Sequence, residues 1–178
     1  MNPVRSFRLR TFLLVLLASA QVAFALAWAA DTATEPAVRA ALLFNFMKFT
    51  QWPAGLGSSQ HLQVCIATSD AESHDAMEAL NARLVRNRPV LVTRFRQQTD
   101  CDVIYVDARS RWNAVQDVRN RQPALTVGGY PGFLADGGMI ELSIQDGAPR
   151  FEISQTEAKR AGLRFYPQLL QLARRIVE

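Results

Sequence analysis

The sequence predicts an α/β sandwich of one domain, with a mostly parallel sheet, a late antiparallel hairpin and helices on both faces. Beyond residue 30, short runs rich in Val, Ile and Leu alternate with segments whose apolar residues recur at helical spacing, the order that right-handed βαβ crossovers produce. Late in the chain the order changes to two adjacent β-type runs around Asp146-Gly147, a hairpin signal. At 178 residues, 49% hydrophobic and 20% charged, the chain can bury one substantial core and is not a disordered or low-complexity protein.

Each element has its own signal. Thr34 to Phe49 reads as a helix opened by Pro36, with Val38, Ala41, Leu42, Phe46 and Phe49 on one stripe. Leu43, Phe44 and Met47 cover a second face, so this is either a central core helix or an interface helix. Trp52-Pro53 stops it. Leu62 to Thr68 is β-type, and Ser69 with Glu72 has the form of a capping box for a helix buried through Met77, Leu80 and Leu84. Pro89 to Phe95 and Cys101 to Val106 are the next strands. Ser110 can cap a helix carrying Trp112, Val115 and Val118, and Ala124 to Val127 is a short strand. Gly128 to Phe133 is a glycine-rich loop. Met139 to Ile144 and Arg150 to Ile153 form the hairpin; Ser154 with Glu157 is a second capping box, with Gly162 as its stop. Pro167 opens a last helix packed through Leu169, Leu170, Leu172, Ala173 and Ile176.

Residues 1–30 precede this domain, which we place at 31–178. Arg5, Arg8 and Arg10 lead into the apolar block Phe12 to Leu17 and then into small residues, the plan of a secretory signal peptide cleaved between Ala25 and Ala30. The uncharged stretch from Thr11 to Ala30 is also long enough for an uncleaved anchor, but its decay into alanines favours cleavage. With no cysteine there, a lipoprotein is excluded. Removing the three leader arginines lowers the net charge from +4 to +1, so the basicity is no sign of a nucleic-acid partner. After export, Cys65 and Cys101 would meet an oxidising compartment, and one disulfide is expected between them. The structural role is favoured over a redox-sensing one. A CxxC thiol oxidoreductase is not indicated.

Chemistry-bearing residues are sparse. His61 and His74 have no metal-ligand spacing and read as surface histidines, so neither metal nor cofactor is expected. Hydrolase, zinc-protease and phosphate-loop motifs are missing from the sequence, which argues against an enzyme. Gly128-Gly129 and Gly137-Gly138 invite a phosphate-binding reading, but the second pair leads into a strand rather than a helix, so turn geometry is preferred. Glu141, Asp146 and Glu152 read as charges on a solvated hairpin. Phe44, off the main helical stripe, and Phe133, in the glycine-rich loop, are the candidates for exposed, partner-binding aromatics.

Several pieces, taken in order, resemble the YfiR family of periplasmic proteins from about Ala37 to the C-terminus. They include Ala41 to Phe49 followed by Trp52-Pro53, Val64-Cys65-Ile66, Cys101 to Val106, Leu125 to Val127, Gly132-Phe133, Gly137 to Ile140, Arg150 to Ile153, Ala161 to Leu163 and Leu169 to Ala173. The resemblance implies a non-catalytic, dimeric periplasmic regulator. Such a protein represses an inner-membrane diguanylate cyclase by binding its periplasmic sensor domain, lowering cyclic-di-GMP and biofilm formation. Cys65 and Cys101 match one family cysteine pair; a second pair found in some members is missing, as is the usual Asn at Ser154. A ligand-binding or input module for another system, such as a sensor kinase, is the alternative.

Overall fold

The computed structural model describes residues 33–53 and 60–178; the expected leader, its cleavage bonds and the loop from Gly55 to Ser59 lie outside them. From Thr34 onward the chain forms one compact unit. Helix α1 (Glu35–Lys48) is capped by Thr34, whose hydroxyl accepts the Ala37 amide. Then follow β1 (Thr50–Gln51), β2 (Leu62–Ala67), α2 (Ala71–Glu78), β3 (Leu84–Val85), β4 (Arg88–Arg94) and β5 (Val103–Val106). A 3-10 turn (Arg109–Arg111) leads into α3 (Trp112–Arg119), then β6 (Leu125–Gly128), β7 (Ile140–Gln145) and β8 (Ala148–Ser154). The chain closes with α4 (Gln155–Arg160), β9 (Arg164–Phe165), α5 (Pro167–Leu172) and β10 (Arg175–Val177).

The main sheet runs β10-β8-β7-β6-β5-β2-β4-β3, and β1 pairs separately with β9. Its centre is parallel: β2 pairs with β4 and with β5, β5 with β6, and β6 with β7. Every residue of β5 and β6 is buried, because helices or loops cover both faces; that is why β5 reads as a continuous apolar run rather than an alternating one. The β7–β8 hairpin turns through Asp146 and Gly147, both at positive φ, as a type I′ connection requires.

The two faces hold separate cores. On one, Leu43, Phe46 and Met47 of α1 and Met77 of α2 pack on Val64, Val103, Leu125 and Ile140. On the other, Trp112, Val115 and Val118 of α3 pack on Cys65, Ile104 and Val106, joined by Tyr130 and Phe133.

Several local expectations change. The buried stripe of α1 is Ala40, Leu43, Phe44 and Met47, with Phe46 beside it, while Ala41 is exposed. The cap of α2 is Asp70 rather than Ser69, its carboxylate accepting the Ser73 amide at 2.8 Å. Ser110 makes no cap, since the chain enters α3 through the 3-10 turn. The helix expected to reach Leu84 ends at Glu78, and Leu84 joins β3, 62% exposed. Similarly, α5 stops at Leu172, which is 72% exposed, and Ile176 lies in β10, paired with Ile153.

Candidate functional site

The exposed side of α1 is the most distinctive outer feature of this unit. Ala37, Ala41, Asn45 and Lys48 lie one turn apart along it, with Val38, Leu42 and Phe49 half-buried at its margins. The helix thus turns its large apolar residues inward and leaves small and polar ones outward. At its C-terminal end the stripe meets a hollow of about 270 Å³ lined by Lys48, Phe49, Arg86, Tyr166 and Gln168, with the Arg86 guanidinium 4.8 Å from the Tyr166 ring centroid.

Phe44 and Phe133 were the aromatics expected to be exposed, and neither is. Phe44 is 9% exposed because it completes the inward stripe of α1; the Arg83 guanidinium lies 3.8 Å above its ring. Phe133 is fully buried, edge-on to Trp112 and Tyr130 at 4.7 and 5.3 Å. The glycines explain its place: a Cβ at Gly128 or Gly138 would run into the Phe133 ring. The loop is therefore glycine-rich so that the backbone can close on an aromatic side chain, and its turn at Gly137 takes positive φ. Burial raises the Tyr130 phenol, helped by its hydrogen bond to Asp136, and burial likewise raises that of Tyr105.

Cys65 and Cys101 are joined, their Cα atoms 5.9 Å apart. The bond ties β2 to the segment entering β5, the strand beside it.

Other candidates also sit differently from expectation. His74 is buried, not on the surface: it faces inward from α2, with Nδ1 3.4 Å from Glu78 one turn later and 4.0 Å from Asp75. Glu152 is not a solvated hairpin charge either. It is 6% exposed and paired with Arg174 and Arg175 beside β10. Burial opposes its ionisation, but the hydrogen bonds from both arginines hold its carboxyl below the usual range. Glu141 accepts the Leu134 amide at 3.2 Å, and Asp146 forms the hairpin turn. No sequence signal marked the Glu152 cluster, because its partners follow a helix break that the sequence did not reveal.

These features define a single α/β domain, its sheet stapled by one disulfide and its first helix leaving one side exposed. The chain belongs to the YfiR/HmsC-like family, DUF4154, whose model matches residues 36–174. Among solved structures, a conserved domain protein from Vibrio cholerae matches with a TM-score of 0.51 and 13% identity, over 80% of this chain and 60% of that one. The chain thus spans well under the full length of that protein, and at this identity the likeness concerns the fold. An ABC domain in complex with L-Trp from Streptococcus pneumonia matches at a TM-score of 0.43 and 10% identity, over 66% of this chain and 55% of that one. No curated protein matches the chain.

Proposed function

We propose that the mature protein, released from its leader by cleavage between Ala25 and Ala30, represses an inner-membrane diguanylate cyclase. It does so by binding the cyclase's periplasmic sensor domain, and it acts as a homodimer without catalytic activity of its own. The family match over residues 36–174 carries this reading. The exposed stripe of α1 supports it, and we assign contact with the sensor domain to Ala41, Asn45 and Lys48 rather than to the buried Phe44 and Phe133.

The test is twofold. Deleting the gene should raise cellular cyclic-di-GMP, and a leaderless copy lacking residues 1–30 should fail to restore the low level, since a protein in the cytosol cannot touch a periplasmic domain. Full complementation by the leaderless copy overturns the mechanism. Second, Ala41→Arg should abolish binding to the purified sensor domain with the melting temperature unchanged, because the position is exposed. Wild-type binding by that variant removes α1 from the interface.

A further inference from the structure

Strand order reverses at one place in the sheet. From β2 the chain leaves through α2, over the face bearing α1, to reach β4 on one side. From β5 it leaves through α3, over the opposite face, to reach β6 on the other side. The connections therefore diverge between the carboxyl ends of β2 and β5. In open parallel sheets this divergence leaves a crevice that no crossover fills, and it is where ligands bind.

Here the crevice is present and chemically specific. A hollow of about 420 Å³ opens beside this point, between the carboxyl ends of β2 and β4 and the entry to α3, a size suited to a small organic molecule. Arg94, the last residue of β4, and Arg111, at the entry to α3, both line it, and among the described residues no carboxylate does. The two cations are differently engaged. Asp107 holds Arg111, with Oδ1 3.5 Å from Nε, and is itself fixed by the Thr68 hydroxyl, which donates to Oδ2 at 2.6 Å. Arg94 has no hydrogen-bonding or ionic partner among the described residues. Phe95 and Ala114 supply an apolar wall, and Ser110 a hydroxyl.

We propose that this crevice binds a small organic anion, a carboxylate or phosphate ester with an apolar body. Arg94 pairs with the anionic group, as guanidinium does with planar or tetrahedral oxyanions. Arg111, oriented by Asp107, provides a second donor from the opposite wall. The apolar body rests on Phe95 and Ala114. The Cys65–Cys101 bond joins β2, whose carboxyl end lines the hollow, to the approach of β5. The site is independent of the partner face, since α1 contributes nothing to its lining.

The probe is phenyl phosphate, titrated into the disulfide-intact protein and followed by two-dimensional amide NMR. Saturable shifts should centre on Thr68, Phe95, Ser110 and Arg111. Inorganic phosphate and benzyl alcohol, each offering half of the recognised chemistry, should bind about tenfold more weakly or worse. Arg94→Ala should weaken phenyl phosphate by about tenfold or more and Arg94→Lys should retain part of the affinity, whereas Arg150→Ala, on the exposed hairpin, should change nothing. Shifts scattered over the cationic surface overturn the proposal. So does inorganic phosphate binding as tightly as phenyl phosphate, or an Arg94→Ala protein that melts like wild type and binds undiminished.

Discussion

On one face of the sheet, α1 and α2 cover a broad aliphatic core that runs from Val85 beside β4 to Ile153 in β8 and takes in the Phe46–Phe151 ring pair at 5.0 Å. On the other face α3 is the single α-helix among the described residues that contributes, and the core beneath it is small, aromatic and bonded through sulfur. The broad core draws its stability from apolar area, which is additive and tolerant of repacking. The small one has little area to draw on. It relies instead on interlock, with Phe133 seated against two glycines and flanked by Trp112 and Tyr130, and on the covalent tie.

The comparison breaks first at Phe133. Replacing it with Ala should destabilise the protein by about 5 kcal/mol, the upper end for buried aromatics, because the surrounding backbone cannot collapse into the space. Leu43→Ala, in the broad core, should cost less, about 3 kcal/mol. Denaturant unfolding of both variants measures the difference. Equal losses would mean that the interlock adds nothing beyond area.

The disulfide should rank next. Reducing it should cost about 3 to 4 kcal/mol on the chain-entropy account. Hydrogen exchange should then show amides of β5 and α3 losing protection before those of α1. Uniform loss across both faces would show that the bond acts on the unfolded chain alone. Phe44→Ala comes third, at about 2 kcal/mol, since its ring edge reaches the surface and Arg83 can settle into part of the space. A thermal melt distinguishes this from the larger Phe133 effect.

How much of this was legible depended on how local each signal was. The buried parallel strands and the Asp146-Gly147 turn were readable because runs such as Val103 to Val106 and a positive-φ dipeptide carry their own signature. The β3–β4 hairpin was not, because its turn places Arg86 and Asn87 at positive φ with no glycine to announce it. The strands β3, β9 and β10 span two or three residues each, and only their tertiary partners make them strands. Phe133 resisted for another reason. A glycine-rich loop looks open in sequence, yet here the glycines vacate space for that ring. In α1, which is apolar on more than one face, spacing alone could not rank the faces, and Phe44 was placed on the wrong one.

The smallest expected effect concerns the sheet edge, where β10 depends on charge more than on area. All three of its residues are exposed, and Arg174 and Arg175 pair with Glu152 of β8 next to it. The Glu152 carboxyl titrates below its ordinary value of 4.5 in the folded protein, so it binds protons less readily there than in the unfolded chain. Its contribution is therefore complete above the unfolded value and is lost as the pH falls through the depressed folded one. Acidification into that window should release β10 while both cores stay intact, visible as loss of amide protection at Ile176 and Val177 with protection retained in β5. Glu152→Gln should abolish that acid sensitivity and show weakened β10 protection already at neutral pH, with little change in global melting because both arginines are largely solvated. If β10 in that variant stays as protected as in wild type at every pH, then backbone pairing with β8 holds the edge unaided.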